Sequence, residues 1–344
     1  MTPTAPAQAT GPSYGSDPSG LICGYLFTPG AMACGLDCAA ALEWLRTERA
    51  PDSPDFIWLH FNLSNLQSQK WLADRLTLPE EYFDTLGEGS GSMRVEHADD
   101  SLIAVMNDVT YDFSYDVSEI ATLSMCVQRN CVVSARRHAL RSVDRLRMAV
   151  KNGEHFESPM ALLVHLLRDQ ADVLQRIQRD AALRVDAIED TLLSGRMAVK
   201  RSTLGALRRV FVRLRRLLAP EPGTLFRLLN RPPEWFEDDD VQELRAATEE
   251  FSAVLNDLAA LQERTKLLQE EIVAHTTEQT NRSVFLLTIA TVVALPINII
   301  AGLLGMNVGG IPLAQEPNGF WIILTIVAIF TVIAGWFSFF KQRD

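Results

Sequence analysis

The chain has 344 residues, 47% of them hydrophobic and 22% charged, with a formal net charge of −11. That acidity argues against a nucleic-acid partner, and the length leaves room for an ordinary soluble domain plus a membrane portion. Five cysteines, an odd number, fit a reducing compartment with unpaired thiols.

Residues 1–20 are rich in Pro, Ser, Thr and Gly and read as a disordered tail, with neither the basic nor the apolar region of a signal peptide. Residues 21–153 read as an α/β domain. Strands are expected at 57–61, 93–97, 102–109, 120–128 and 131–135, with a hairpin turn at Arg129 and Asn130. Ser64 is expected to cap a helix running to about Leu76, and a further helix covers 142–151. Cys34 and Cys38 stand at C-x3-C spacing, but with no second pair the reading is idle thiols. His60, His97, His138, His155 and His165 are scattered, and no phosphate loop, metalloprotease pattern or nucleophile elbow is present.

Residues 154–240 read as a cytoplasmic helical region. One amphipathic helix covers 158–193, and a second covers about 197–218, broken by Pro220 and Pro222. The second carries Arg196, Lys200, Arg201, Arg208, Arg209, Arg213, Arg215 and Arg216. This is either a solvated face or a basic collar at a membrane surface. The acids of 234–240 suit a helix N-terminus. From Val241 the apolar residues Leu244, Phe251, Leu255, Leu258, Leu261, Leu268 and Ile272 recur at threes and fours, with Thr248, Thr265 and His275 in step. No breaker interrupts them before Pro296, so 241–304 is expected to be one stalk helix of roughly 95 Å at about 1.5 Å per residue.

Residues 283–315 and 320–340 contain no charged residue at all. Each supplies the roughly 20 apolar residues a bilayer span needs, so 283–304 and 320–340 read as two transmembrane helices. Arg282 precedes the first, Lys341 and Arg343 follow the second, and the turn between has neither Lys nor Arg. The positive-inside rule therefore places both termini and the tail 341–344 in the cytoplasm and the loop 305–319 outside.

Within the first span the polar residues Asn281, Thr288, Thr291 and Asn298 fall inside an arc of roughly 100°, at about 100° per residue. Val284, Leu295, Gly302 and Gly305 extend that face. Two readings stand: hydrogen-bonded glue between helices, or one wall of a path lined by several copies. Glu316 is the only charge in the loop. Glu270, Glu271, His275 and Glu278 lie just below the first span; Glu271 and His275 are an i,i+4 pair able to touch a metal, against the plainer reading of a solvated face.

Gly305, Met306 and Asn307 follow the apolar helix directly. In that setting the chain resembles the CorA family of divalent-cation transporters, and 305–313 (GMNVGGIPL) resembles its zinc-associated ZntB branch. The resemblance implies an α+β membrane protein: a cytoplasmic α/β domain, a long helical stalk and two C-terminal transmembrane helices, assembled as a funnel-shaped homopentamer in the bacterial inner membrane. Asn307 would ring the outer mouth and hydrogen-bond a hydrated ion. Gly305 would allow the close turn, Met306 would pack the loop, and Asn298 would form a second polar ring. Val284, Leu287 and Leu295 would be apolar constrictions, and Glu316 would gather cations. The implied substrate is Zn2+, with Mg2+, Co2+, Ni2+ and Cd2+ as alternatives and protons as a coupling ion. No cofactor is implied, and the chain is not read as an enzyme. A membrane-anchored sensor or scaffold is the reading from a different class.

Overall fold

The computed structural model describes residues 15–48, 53–87, 94–98, 100–115, 119–194, 201–306 and 316–340. Asn307, Arg196, Lys200, Lys341, Arg343 and most of the tail and outer loop lie outside the described residues. The chain divides into two compact units, Met1–Leu267 and Leu268–Asp344.

The first unit is built on a seven-stranded sheet. Its strands are β1 (Leu21–Phe27), β2 (Cys34–Gly35), β3 (Phe56–Asn62), β4 (Arg94–Ala98), β5 (Ser101–Val109), β6 (Ile120–Val127) and β7 (Cys131–Arg136), in spatial order β2-β1-β3-β7-β6-β5-β4. Only β3 and β7 pair in parallel; the other neighbours are antiparallel, with β6 and β7 joined through the turn expected at Arg129 and Asn130. Helices cover both faces, so the central strands are apolar without alternation. Phe56 and Trp58 point into one core, with Met160, Leu163 and Leu225. Ile57, Leu59 and Phe61 point into the other, with Leu72 and Tyr82.

The second core is roofed by α1 (Cys38–Arg46), α2 (Leu66–Arg75) and α3 (Glu80–Gly87). The cap of α2 is Asn65, not Ser64: the Asn65 side chain accepts from the Gln67 N–H. The Ser64 hydroxyl instead donates to the Arg137 carbonyl, tying the β3 connection to β7. Ordered contacts also begin upstream of Leu21, where Asp17 accepts from the Leu21 N–H at 2.8 Å.

The first core packs under α4 (Arg141–Lys151), α5 (Pro159–Leu193), α7 (Pro220–Asn230) and the start of α8 (Asp238–Leu304). Ser158 caps α5 by accepting from the Ala161 N–H, and its hydroxyl donates to Asp240 in the first turn of α8. Between α5 and α7 runs α6 (Arg201–Leu218). Pro220 and Pro222 do not merely end it; they open α7, because proline at the first helical positions gives up an N–H that has no intrahelical partner.

Buried polar groups stitch the layers together. Glu221, on the first turn of α7, accepts from the Asn107 N–H and from the Gln170 amide, each at 3.2 Å. Burial holds its carboxyl well above the ordinary range. Asp108 of β5 accepts from the N–H groups of Val109 and Ser142, and so caps α4, whose own Leu140 cannot. Burial pushes Asp108 up to about 6. His60 receives the Arg136 Nε–H on Nε2 and therefore carries its proton on Nδ1, facing Ser134 at 2.8 Å. Burial, followed by Arg136, keeps its pKa well below the ordinary value.

Helix α8 is 67 residues long, or about 100 Å at about 1.5 Å per residue. Leu244, Thr248, Phe251, Leu258, Leu261, Thr265, Leu268 and Ile272 of the expected stripe are buried. Thr248 and Thr265 fit because each donates its hydroxyl to the carbonyl four residues back. His275 departs from the stripe and is exposed. Arg264 binds Asp186 and Glu189 of α5. The segment of α8 that is long and apolar enough to cross a membrane is not buried at all. The last helix, α9 (Gly319–Phe340), has 22 residues, and its described apolar part, Gly319–Ile333, is shorter than such a span.

Candidate functional site

Side-chain exposure sorts the membrane half of α8 into two sides. Phe285, Ile289, Val293, Ile297 and Ile300 are partly shielded, as are Ile323, Val327 and Thr331 along α9. The row Asn281, Val284, Thr288, Thr291, Leu295 and Asn298 is exposed throughout and lies roughly 150° around the helix from the shielded row, at about 100° per residue. Leu287 is also exposed, at 69%, and sits at the edge of this row. The predicted face is therefore one continuous surface, and the folded chain itself leaves it uncovered.

Its chemistry is set by how the hydroxyls are used. Thr288 donates to the Val284 carbonyl and Thr291 to the Leu287 carbonyl, both at 2.9 Å. Thr276, Thr277, Thr280 and Ser283 do the same one or more turns below. Each hydroxyl proton is thus engaged within the helix, and what remains outward is the oxygen's lone-pair side. Asn281 and Asn298 make no side-chain hydrogen bond among the described residues, so both amides are open to a partner.

At the end of α8 the Gly305 N–H reaches the Ala301 carbonyl at 2.9 Å. A Cβ at Gly305 would stand 3.1 Å from that same oxygen, a tight contact that glycine avoids. Met306 is half exposed and Glu316 exposed; the Glu316 carbonyl accepts from the Gly319 N–H at the start of α9. Asn307 lies outside the described residues.

Glu270, Glu271 and His275 are all exposed, and among the described residues no group of three or more His, Cys, Asp or Glu is placed to hold a metal. Cys34 is exposed and Cys38 half-buried, and burial pushes the Cys38 thiol up to about 12, away from the thiolate a metal would need.

The exposed row also extends farther down α8 than the polar residues alone reveal. Counting back in sevens from Thr288 gives Asn281, Ala274, Leu267, Ala260, Ala253 and Ala246; from Val284 it gives Thr277, Glu270, Glu263, Asn256 and Glu249. Every one of these is exposed. At about 20° per heptad on a straight helix this row winds by roughly 120° over its six heptads. The 3-4 spacing was visible in the sequence, but small and acidic residues carry it there, and an apolar count passes over them.

Comparison with known proteins bears on what this surface serves. Residues 53–342 match the family model described as CorA-like Mg2+ transporter protein. The chain is 28% identical over 324 residues to the divalent cation transporter CmaX of Pseudomonas aeruginosa, covering 93% of this chain and 96% of that one. It is 24% identical over 279 residues to the zinc transport protein ZntB of Pectobacterium carotovorum, covering 81% and 85%. The solved structure of full-length CmaX superposes with a TM-score of 0.79 at 27% identity, covering 96% of this chain and 99% of that one.

Proposed function

Since the chain belongs to the CorA family of divalent-cation transporters, and is a transporter rather than an enzyme, we propose that it carries Zn2+ across the bacterial inner membrane as a homopentamer. One observation carries the reading: the exposed row of α8, from Asn281 to Asn298, ends on Gly305, Met306 and Asn307. A single helical hairpin cannot enclose a polar path, so the path lies on a symmetry axis lined by one copy of α8 per subunit.

On this reading Asn307 rings the outer mouth, where its amide oxygen accepts hydrogen bonds from the water shell of the ion. Asn298 and Asn281 form further polar rings, Thr288 and Thr291 add oxygens between them, and Val284, Leu287 and Leu295 narrow the path with apolar rings. Glu316 gathers cations outside. The divisions follow: a tail (1–20), a cytoplasmic α/β domain (21–153), a helical region (154–240), the stalk continuing into the first span (241–304), the outer loop (305–319), the second span (320–340) and a cytoplasmic tail (341–344). The row has no Cys, His or carboxylate within the span, so Zn2+ travels hydrated and not on protein ligands of the usual kind. The likeness to ZntB supports zinc, while the family description favours Mg2+ as the second reading.

The test is metal flux into proteoliposomes of the full chain, with Zn2+ and Mg2+ in parallel and with and without a proton gradient. Zinc flux that collapses in Asn307→Ala is expected, and a gradient-dependent rate identifies protons as the coupling ion. Magnesium flux without zinc flux would overturn the zinc assignment. Undiminished flux in Asn307→Ala would overturn the ring.

A further inference from the structure

A second charged feature of the first unit has the opposite sign from anything a cation path requires. Between the β5–β6 connection and α5 lies a cleft of about 400 Å3 lined by Phe113, Ser114, Tyr115, Arg141, Arg176, Ile177, Asp180 and Arg184. Arg176, Asp180 and Arg184 recur at fours along α5 and so share one face of the helix. Arg141 enters from the first turn of α4. Three guanidiniums thus meet one carboxylate, in a chain whose net charge is −11.

Two of the arginines are held and one is free. Arg141 donates from Nε and Nη2 to the Tyr111 carbonyl, at 3.3 and 2.8 Å. Arg184 donates to Asp180 at 3.0 Å and lies over the Tyr115 ring, 4.2 Å from its centroid. Asp180 also accepts the Tyr115 hydroxyl at 2.6 Å, so its charge is already engaged. The neighbouring acid Glu119 is occupied by Ser114, through the backbone N–H and the hydroxyl. Arg176 has no partner among the described residues. Tyr115 adopts φ 72, a left-handed conformation unusual for a bulky residue, with its hydroxyl on Asp180 and its ring under Arg184.

We propose that this cleft binds a phosphate-bearing small molecule. Arginine forks match the paired oxygens of a phosphate, and three guanidiniums against Asp180 and the neighbouring Glu119 leave net positive charge for a group carrying about −1.5 to −2 at neutral pH. The groove is open to solvent and has room for more than a bare anion. Phe113, Ile177 and the Tyr115 ring offer an apolar side for the remainder of the ligand. Arg176 supplies the uncommitted guanidinium, while Arg141 and Arg184 supply pre-positioned charge. Cation transport does not enter this argument, so the site stands or falls independently of the zinc assignment.

Calorimetric titration of the full chain in detergent tests it, in metal-free buffer at about 0.15 M salt, because nucleotide phosphates would otherwise chelate the transported ion. The probes are inorganic phosphate, AMP and adenosine. Saturable binding of AMP or phosphate is expected, with none for adenosine. Arg176→Gln should weaken that binding about tenfold, the loss of one charge-assisted hydrogen bond, with an unchanged melting temperature because the exposed side chain makes no hydrogen bond or ion pair among the described residues. Arg179→Gln, an exposed arginine of α5 outside the cleft, should bind as the parent does. Absence of saturable binding below about 10 mM for both phosphate and AMP, equal affinity for adenosine and AMP, or an Arg176→Gln variant that binds like the parent would each overturn the proposal.

Discussion

Strand β5 and the second half of α8 are both strongly apolar, yet they end in opposite environments. All nine residues of β5 are buried, and its polar pair Asn107 and Asp108 is engaged by α4, α5, α6 and α7. The membrane-length segment of α8 has no buried share at all, with Val284, Leu287 and Leu295 each more than half exposed. Apolar composition is thus satisfied within the chain in one case and requires a second phase, lipid or further subunits, in the other. The difference is one of address more than of hydrophobicity, and it can be tested by cutting comparable side chains in both places.

The largest contrast should come from truncation. Trp58 is 1% exposed and donates its indole N–H to Ser134, so Trp58→Ala should lower unfolding stability by about 3–5 kcal/mol. Leu287→Ala should shift it by less than about 0.5 kcal/mol in detergent, where nothing in the chain covers that side chain. Thermal unfolding of both variants measures this; equal losses would erase the distinction.

Next in size is the polar row. Asn298→Leu removes one amide from each subunit's contribution to the ring and should reduce metal flux at least about tenfold, while the melting temperature holds. A fall in melting temperature with flux intact would instead make Asn298 helix glue.

A third effect belongs to the buried acids alone. Asp108 is raised to about 6 from the ordinary value near 3.8. A raised acid favours folding in its protonated form, so its contribution is present below pH about 4 and is lost as pH rises through about 6. Glu221 acts in the same direction, and His60, whose pKa is lowered, acts in the opposite one below pH 6.5. Chemical denaturation of Asp108→Asn across pH 4–7 should show a shallower decline than the parent; the slope is the readout, since the asparagine also weakens the cap on α4. The smallest effect is expected at Arg264, whose bonds to Asp186 and Glu189 are about 40% exposed on both sides. Arg264→Gln should cost at most about 1 kcal/mol, and less in high salt.

Local signals made much of this legible in the sequence. The acids opening α8 belong to the chain's own neighbourhood, and the expected helix at 158–193 matches α5 with its cap at Ser158. The strands from 102 to 135 follow one another as antiparallel neighbours and were readable for the same reason. Harder cases depended on distant partners. Strand β1 carries Gly24 in its middle, where a Cβ would lie 2.7 Å from the Leu36 carbonyl, a close approach no local pattern announces. Pro220 and Pro222 look like breakers because a proline that stops one helix and a proline that starts the next are the same residue in sequence. In the site, the upper row was legible from its few polar residues in an apolar run; the lower row, carried by alanines and glutamates, becomes visible only once the other side of α8 is seen to be buried.

The threonines and serine that return their protons to the helix from Thr276 to Thr291 have one more effect. A surface whose hydroxyls have already donated can only receive. Water beside it turns its hydrogens toward the protein and its oxygen away, which is how water is oriented in the shell of a cation and the reverse of its orientation around an anion. On the proposed reading, the hydroxyls of such a wall favour the water shell of a cation over that of an anion.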